Sequence, residues 1–91
     1  MTPKIVEVKL IDVLQGIQND SGYDASGITD TTCPLSDLEG FDSMLCPVAI
    51  SILATELDLQ IPNDQNIFLS KDGKYPLTIS ESAIIVCQMV G

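Results

Sequence analysis

The sequence predicts an all-α fold: a small four-helix bundle over residues 1–91, with three main helices, a short helix third in order, and a long first loop. Two observations predict it. Apolar residues recur at helical spacing in three separate stretches. Between them lie segments rich in Gly, Ser, Asp and Pro that do not continue a helix. With 91 residues, 45% of them apolar, the chain can bury one small core and make a single domain. Two Phe and two Tyr are its only aromatics, so that core rests on Ile, Leu, Val and Ala.

The first helix opens at Thr2-Pro3, with Thr as N-cap and Pro at the first helical position. Val6, Leu10, Val13 and Ile17 then line one face, with Leu14 beside them. The short window "VEVKL" also alternates like a strand, but the pattern running on to Ile17 favours helix. Residues 18–42 carry loop chemistry, "QNDSGYDASGITDTTCPLSDLEGFD", with Leu35, Leu38 and Phe41 able to pin the loop to a core. A second main helix is expected over Ser43 to Asp58, with Ser43 as a candidate N-cap and an inward stripe of Cys46, Ile50, Leu53 and Leu57. Pro47 falls in its first turn, where a missing amide hydrogen is tolerated. "NDQNIFL" suits one or two helical turns, and "SKDGKYP" a turn with Asp72-Gly73 at its tip; a small hairpin is the competing reading there. Thr78-Ile79-Ser80-Glu81 has capping-box spacing, and Ile79, Ala83, Val86 and Val90 form the last inward stripe.

Charge narrows the function classes. Thirteen acidic residues face four lysines, with no His, for a net charge of −9. Such a chain repels phosphate backbones and anionic membranes and favours partners with basic surfaces. Without His it cannot build a Ser-His or Cys-His pair. No EF-hand spacing is present, so neither a metal site nor catalysis by this chain is expected. Cys33, Cys46 and Cys87 are odd in number and far apart, which fits a reduced, cytoplasmic protein better than a zinc or disulfide framework. Cys46 lies on the inward stripe and reads as a buried, inert thiol, Cys33 as the more exposed one. Lys4, Glu7, Lys9 and Asp12 interrupt any signal-peptide core, and no apolar run reaches membrane-spanning length.

The stretch "LSDLEGFDSM" at 35–44, followed by "ATELDLQIP" at 54–62, resembles the acyl carrier proteins and their peptidyl carrier relatives. It is similar to that family's Leu-x-Asp-Leu and Asp-Ser-Leu, with Met44 in place of the last Leu. The resemblance implies a non-catalytic monomer of the acyl-carrier fold. Ser43 would take a 4′-phosphopantetheine arm from coenzyme A through a separate phosphopantetheinyl transferase, and Asp42 would present it to that enzyme and its magnesium. The arm's thiol would carry acyl groups as thioesters between acyl-transferring and condensing enzymes. A serine at a helix start also has amides and a positive dipole end near it, which favour a phosphodiester.

The chain departs from the family at Pro47, in the length of its first loop and of "LSKDGKYPL", and along the second helix. There Leu45, Val48 and Ile52 stand where carboxylates are more common. On a helical wheel they form a second apolar stripe roughly a quarter-turn from the inward one, with Met44 at its edge. Either the 18–42 loop covers this stripe, or it is a partner-binding face of a specialised carrier in a dedicated lipid, polyketide or related pathway. The alternative is an interaction module that keeps the carrier fold and never takes the arm, with Ser43 no more than a helix cap.

Overall fold

The computed structural model describes residues 2–61, 66–70 and 72–90, the last without its side chain. Helix α1 runs Pro3–Asp20 and starts as expected, the Thr2 hydroxyl accepting the Ile5 amide at 3.4 Å with Pro3 just inside. Val6, Leu10, Val13 and Leu14 are buried, Ile17 is half-buried, and the inward face extends one residue type further than apolarity suggests, to buried Gln18. A Schellman turn ends the helix. The Tyr23 amide donates to the Gln18 carbonyl at 2.9 Å and the Gly22 amide to Asn19 at 3.1 Å, with Gly22 at a positive φ of 84°.

The connection that follows holds a four-residue helix α2, Pro34–Asp37. It lies down on the core through buried Ala25, Ile28, Pro34 and Phe41. Its polar ties are equally specific: Gln18 Nε2 donates to the Glu39 carbonyl at 2.8 Å, and the carbonyls of Thr32 and Asp30 accept the Ile79 and Ser80 amides, each at 2.9 Å.

Helix α3, Cys46–Leu57, begins three residues later than the Ser43 start predicted from sequence, with Leu45 in the capping position and Pro47 in the first turn. Ala49, Ile50 and Leu53 are buried and Leu57 half-buried. The helix ends on Asp58 in the left-handed region, φ 55°, while the Leu59 amide returns to Ala54 at 2.9 Å and the Asp58 amide to Thr55 at 3.2 Å. Asp is one of the few side chains that accept this conformation.

The short helix expected from "NDQNIFL" is not found in the part described. Residues 62–65 lie outside the described residues, and 66–69 form a turn leading into a small hairpin. There Leu69 pairs antiparallel with Pro76, and the Leu77 amide donates to Phe68 and the Ser70 amide to Tyr75, each at 2.9 Å. The competing hairpin reading is therefore the observed one. Ile67 and Phe68, fully buried, point the segment into the core. Helix α4, Ile79–Val90, carries the capping box as read: Thr78 N–H donates to Glu81 Oε1 at 2.9 Å and Glu81 N–H to Thr78 Oγ1 at 3.1 Å. With Ile79 and Ser80 tied to the loop and the Ser82 amide to Thr78, the first four amides of α4 all have partners.

Among the described residues the architecture is all-helical, four helices and no strand beyond that single bridge. Helix α1 is the shared wall, packed against both α3 and α4. Ile50 and Leu53 share one core with the inward faces of α1 and α4, and Ile17 and Leu57 pack against it partly buried. None of the described helices is long and apolar enough to cross a membrane. Leu53→Ala should cost ~2–5 kcal/mol and lower the thermal midpoint by roughly 10 °C or more. An unchanged midpoint would remove Leu53 from the core; Val48→Ala, on the open face, should shift it little.

Candidate functional site

Asp42, Ser43 and Met44 are exposed between two buried anchors, Phe41 and Cys46. One residue organises the turn they make. Asp42 Oδ1 accepts the Met44 amide at 2.9 Å, and the Asp42 carbonyl accepts the Leu45 amide at 3.0 Å and the Cys46 thiol at 3.5 Å. This is a β-turn closed by its own aspartate, with Ser43 at its second position. Ser43 is therefore not an N-cap: α3 starts only at Cys46, Leu45 holds the capping position, and no side chain caps it. Among the described residues none hydrogen-bonds to the Ser43 hydroxyl. The amides expected to flank a phosphodiester are fewer than the sequence suggested: those of Met44 and Leu45 go to Asp42, and Pro47 has none.

The floor beneath the turn is aromatic. Phe41 meets Phe68 edge to face, ring centroids 5.5 Å apart at 79°. One residue earlier, Gly40 has φ 74°, and a β-carbon there would fall 2.6 Å from the Tyr23 ring. The positive φ favours glycine, and any larger residue there would also have to displace the Tyr23 ring. Phe41 was recognisable as a loop anchor; its partner Phe68 was not, since "NIFL" has no readable period.

Cys46 is buried at the base of the turn, and its thiol is pushed above the usual range, chiefly by burial. A hydrogen bond from the Asn66 side chain pulls the other way, and the Asp42 charge adds to the rise. This is the inert thiol that the inward stripe predicted, while Cys33 and Cys87 are half-buried. No group of three or more His, Cys, Asp or Glu among the described residues is arranged to hold a metal.

The second stripe of α3 is split. Met44 is 81% exposed, Val48 46% and Ile52 39%, so the 18–42 loop does not cover them. Leu45 departs from this group and packs half-buried against the core. No family model, curated protein or solved structure matches this chain.

Two measurements test the turn. Ser43→Ala should leave stability within about 0.5 kcal/mol, whereas Asp42→Ala should lose about 1 kcal/mol by freeing the Met44 amide. A larger loss at Ser43 would restore its capping role. Native alkylation at pH 8 should modify Cys33 and Cys87 and spare Cys46 until the chain unfolds. Because the folded state holds the Cys46 proton more tightly, its stabilising contribution is complete below the ordinary thiol pKa of about 8.5. It is lost as pH rises through the folded value. The stability margin over Cys46→Ala should therefore narrow in alkali.

Proposed function

We propose that this chain is a carrier protein of the acyl-carrier type, with a 4′-phosphopantetheine arm on Ser43. The observation that carries the reading is an exposed serine whose hydroxyl has no hydrogen-bond partner among the described residues, set in "LSDLEGFDSM" on a turn that another residue holds. That is what a modification site for a second enzyme needs: the serine is exposed, and the turn is held by Asp42 rather than by the hydroxyl. Attachment exchanges the Ser43 O–H bond for an O–P bond, with the nucleotide half of coenzyme A leaving and the proton passing to the transferase. The arm, once bound, supplies the thiol on which an acyl group rides as a thioester.

The residues fit that group in two respects. Ser43 is exposed, as an acceptor must be, and Asp42 keeps its second carboxylate oxygen unpaired among the described residues, available to the transferase and its magnesium. Asp42 thus has two roles in this reading, closing the turn and presenting the serine. The chain brings no catalytic side chain, and its charge of −9 suits brief visits to basic transferases, acyltransferases and condensing enzymes in the cytoplasm.

The test is intact-mass spectrometry after incubation with coenzyme A and a broad-specificity phosphopantetheinyl transferase. One phosphopantetheine should be added to the wild type and none to a folded Ser43→Ala variant. Asp42→Asn, which still offers an oxygen to the Met44 amide, should stay folded and load at least tenfold more slowly. A wild type left unmodified by several active transferases would reject the carrier reading in favour of a carrier-fold interaction module.

A further inference from the structure

The acidity of this chain is unevenly placed. Residues 1–19 hold two lysines, Lys4 and Lys9, and two acids, Glu7 and Asp12, so the whole surplus of negative charge lies beyond them. The outer face of α1 is thus a neutral strip on a strongly negative molecule, and it is apolar and open. Ile5 is 50% exposed and Val8 53%. The shallow depression around Val8 is lined by α1 alone among the described residues, through Val8, Lys9, Ile11, Asp12 and Gln15. Lys9 turns toward Glu56 of α3, at 4.0 Å. Lys4 and Asp12 are exposed and have no ion-pair partner among the described residues.

We propose that this face is the interface of a weak homodimer, in which α1 packs antiparallel on α1 of a second copy about a two-fold axis at Val8. Lys4, Val8 and Asp12 follow one another at intervals of four, so they form one row on the helix surface. The order of charges along that row selects the occupant. An antiparallel copy sets Lys4 of each chain against Asp12 of the other and Val8 against Val8, with Ile5 and Ile11 at the flanks. The ion pair then occurs twice, as a self-complementary two-fold interface requires. A parallel copy would set lysine on lysine and aspartate on aspartate. A uniformly basic or acidic partner would meet a like charge at one end of the row. The charges that repel lie on other elements, and at ~150 mM salt those more than about 8 Å apart are largely screened. One face of an 18-residue helix, about 27 Å long, falls at the small end of interface sizes, where association is transient. The pairing does not depend on whether Ser43 is modified.

The experiment is sedimentation equilibrium of the full, unmodified chain from ~10 µM to ~1 mM, in reducing buffer at ~150 mM salt. Amide shifts of the ¹⁵N-labelled chain are followed over the same dilution. A dissociation constant on the order of 100 µM is expected, with shifts centred on residues 4–12. Lys4→Glu, which brings two carboxylates together at each end, should weaken the dimer about tenfold or more, and Asp12→Lys should do the same with two ammonium groups. The double variant Lys4→Glu/Asp12→Lys restores both pairs in reverse. It should associate within about threefold of the wild type, as should an equimolar mixture of the two single variants. Lys74→Glu changes the net charge as much as Lys4→Glu does but lies on the hairpin, and it too should stay within about threefold. Should a reversal at α1 unfold the chain, Val8→Ser, at the axis, should weaken the dimer about fivefold. A chain that is monomeric at ~1 mM, or shifts centred on another element, would overturn the α1 pairing. So would undiminished association of a folded Lys4→Glu or Val8→Ser variant, or a loss in Lys74→Glu as large as in Lys4→Glu.

Discussion

The edge-to-face contact of Phe41 on Phe68 is the joint on which the exposed turn depends. In a chain with only two phenylalanines, both are committed to one contact, 5.5 Å between centroids. Such a pair adds ~0.5–1.5 kcal/mol beyond its buried area. Its position matters more than its energy. Phe41 is the last residue before the turn that carries Ser43, and Phe68 follows Ile67, whose carbonyl accepts the buried Ser82 hydroxyl at 2.7 Å. A continuous line of packing and hydrogen bonding therefore runs from the serine turn to α4. The turn is exposed at its surface and buried at its base.

The same logic explains how a long polar connection stays on a small core. Loop closure costs grow only slowly with length, so the need is for a few specific ties. Apolar anchors supply part: Ile28 and Phe41 are buried although their neighbours are polar. Backbone partners supply the rest, because the loop carbonyls of Asp30 and Thr32 complete the start of α4. Gln18 shows what such a tie costs. Its Nε2 holds the Glu39 carbonyl, while its buried Oε1 has no partner among the described residues. A leucine at this position would bury equally well but would leave the loop end unheld just before Gly40 and Phe41.

What could be read from the sequence divides by the range of the interaction concerned. The Thr78–Glu81 capping box and the inward stripes of α1, α3 and α4 were legible because helix periodicity and capping are fixed within a few residues. Gln18 was not, since nothing local tells a buried amide from an exposed one. At "SKDGKYP" a turn and a small hairpin competed on equal local evidence, and the Leu69–Pro76 bridge makes it a hairpin. The helical turns expected over "NDQNIFL" gave way, in the part described, to the burial of Ile67 and Phe68, a tertiary effect. At the site, the exposure of Ser43 was anticipated but its capping role was misassigned. The helix was expected to begin at Ser43 and begins three residues on, with Leu45 in the capping position and no side chain capping it. Leu45 was grouped with Val48 and Ile52 by helical angle, yet it precedes the helix proper and packs inward against the core.

The correction at Ser43 strengthens the functional reading. A serine that capped α3 would serve stability and modification with one oxygen, and esterification would take away the cap. Here Asp42 closes the turn with its own carboxylate and carbonyl, and the neighbouring hydroxyl has no hydrogen-bond partner among the described residues. Ser43, Met44, Val48 and Ile52 face solvent, while Phe41, Cys46 and Ile50 hold the core.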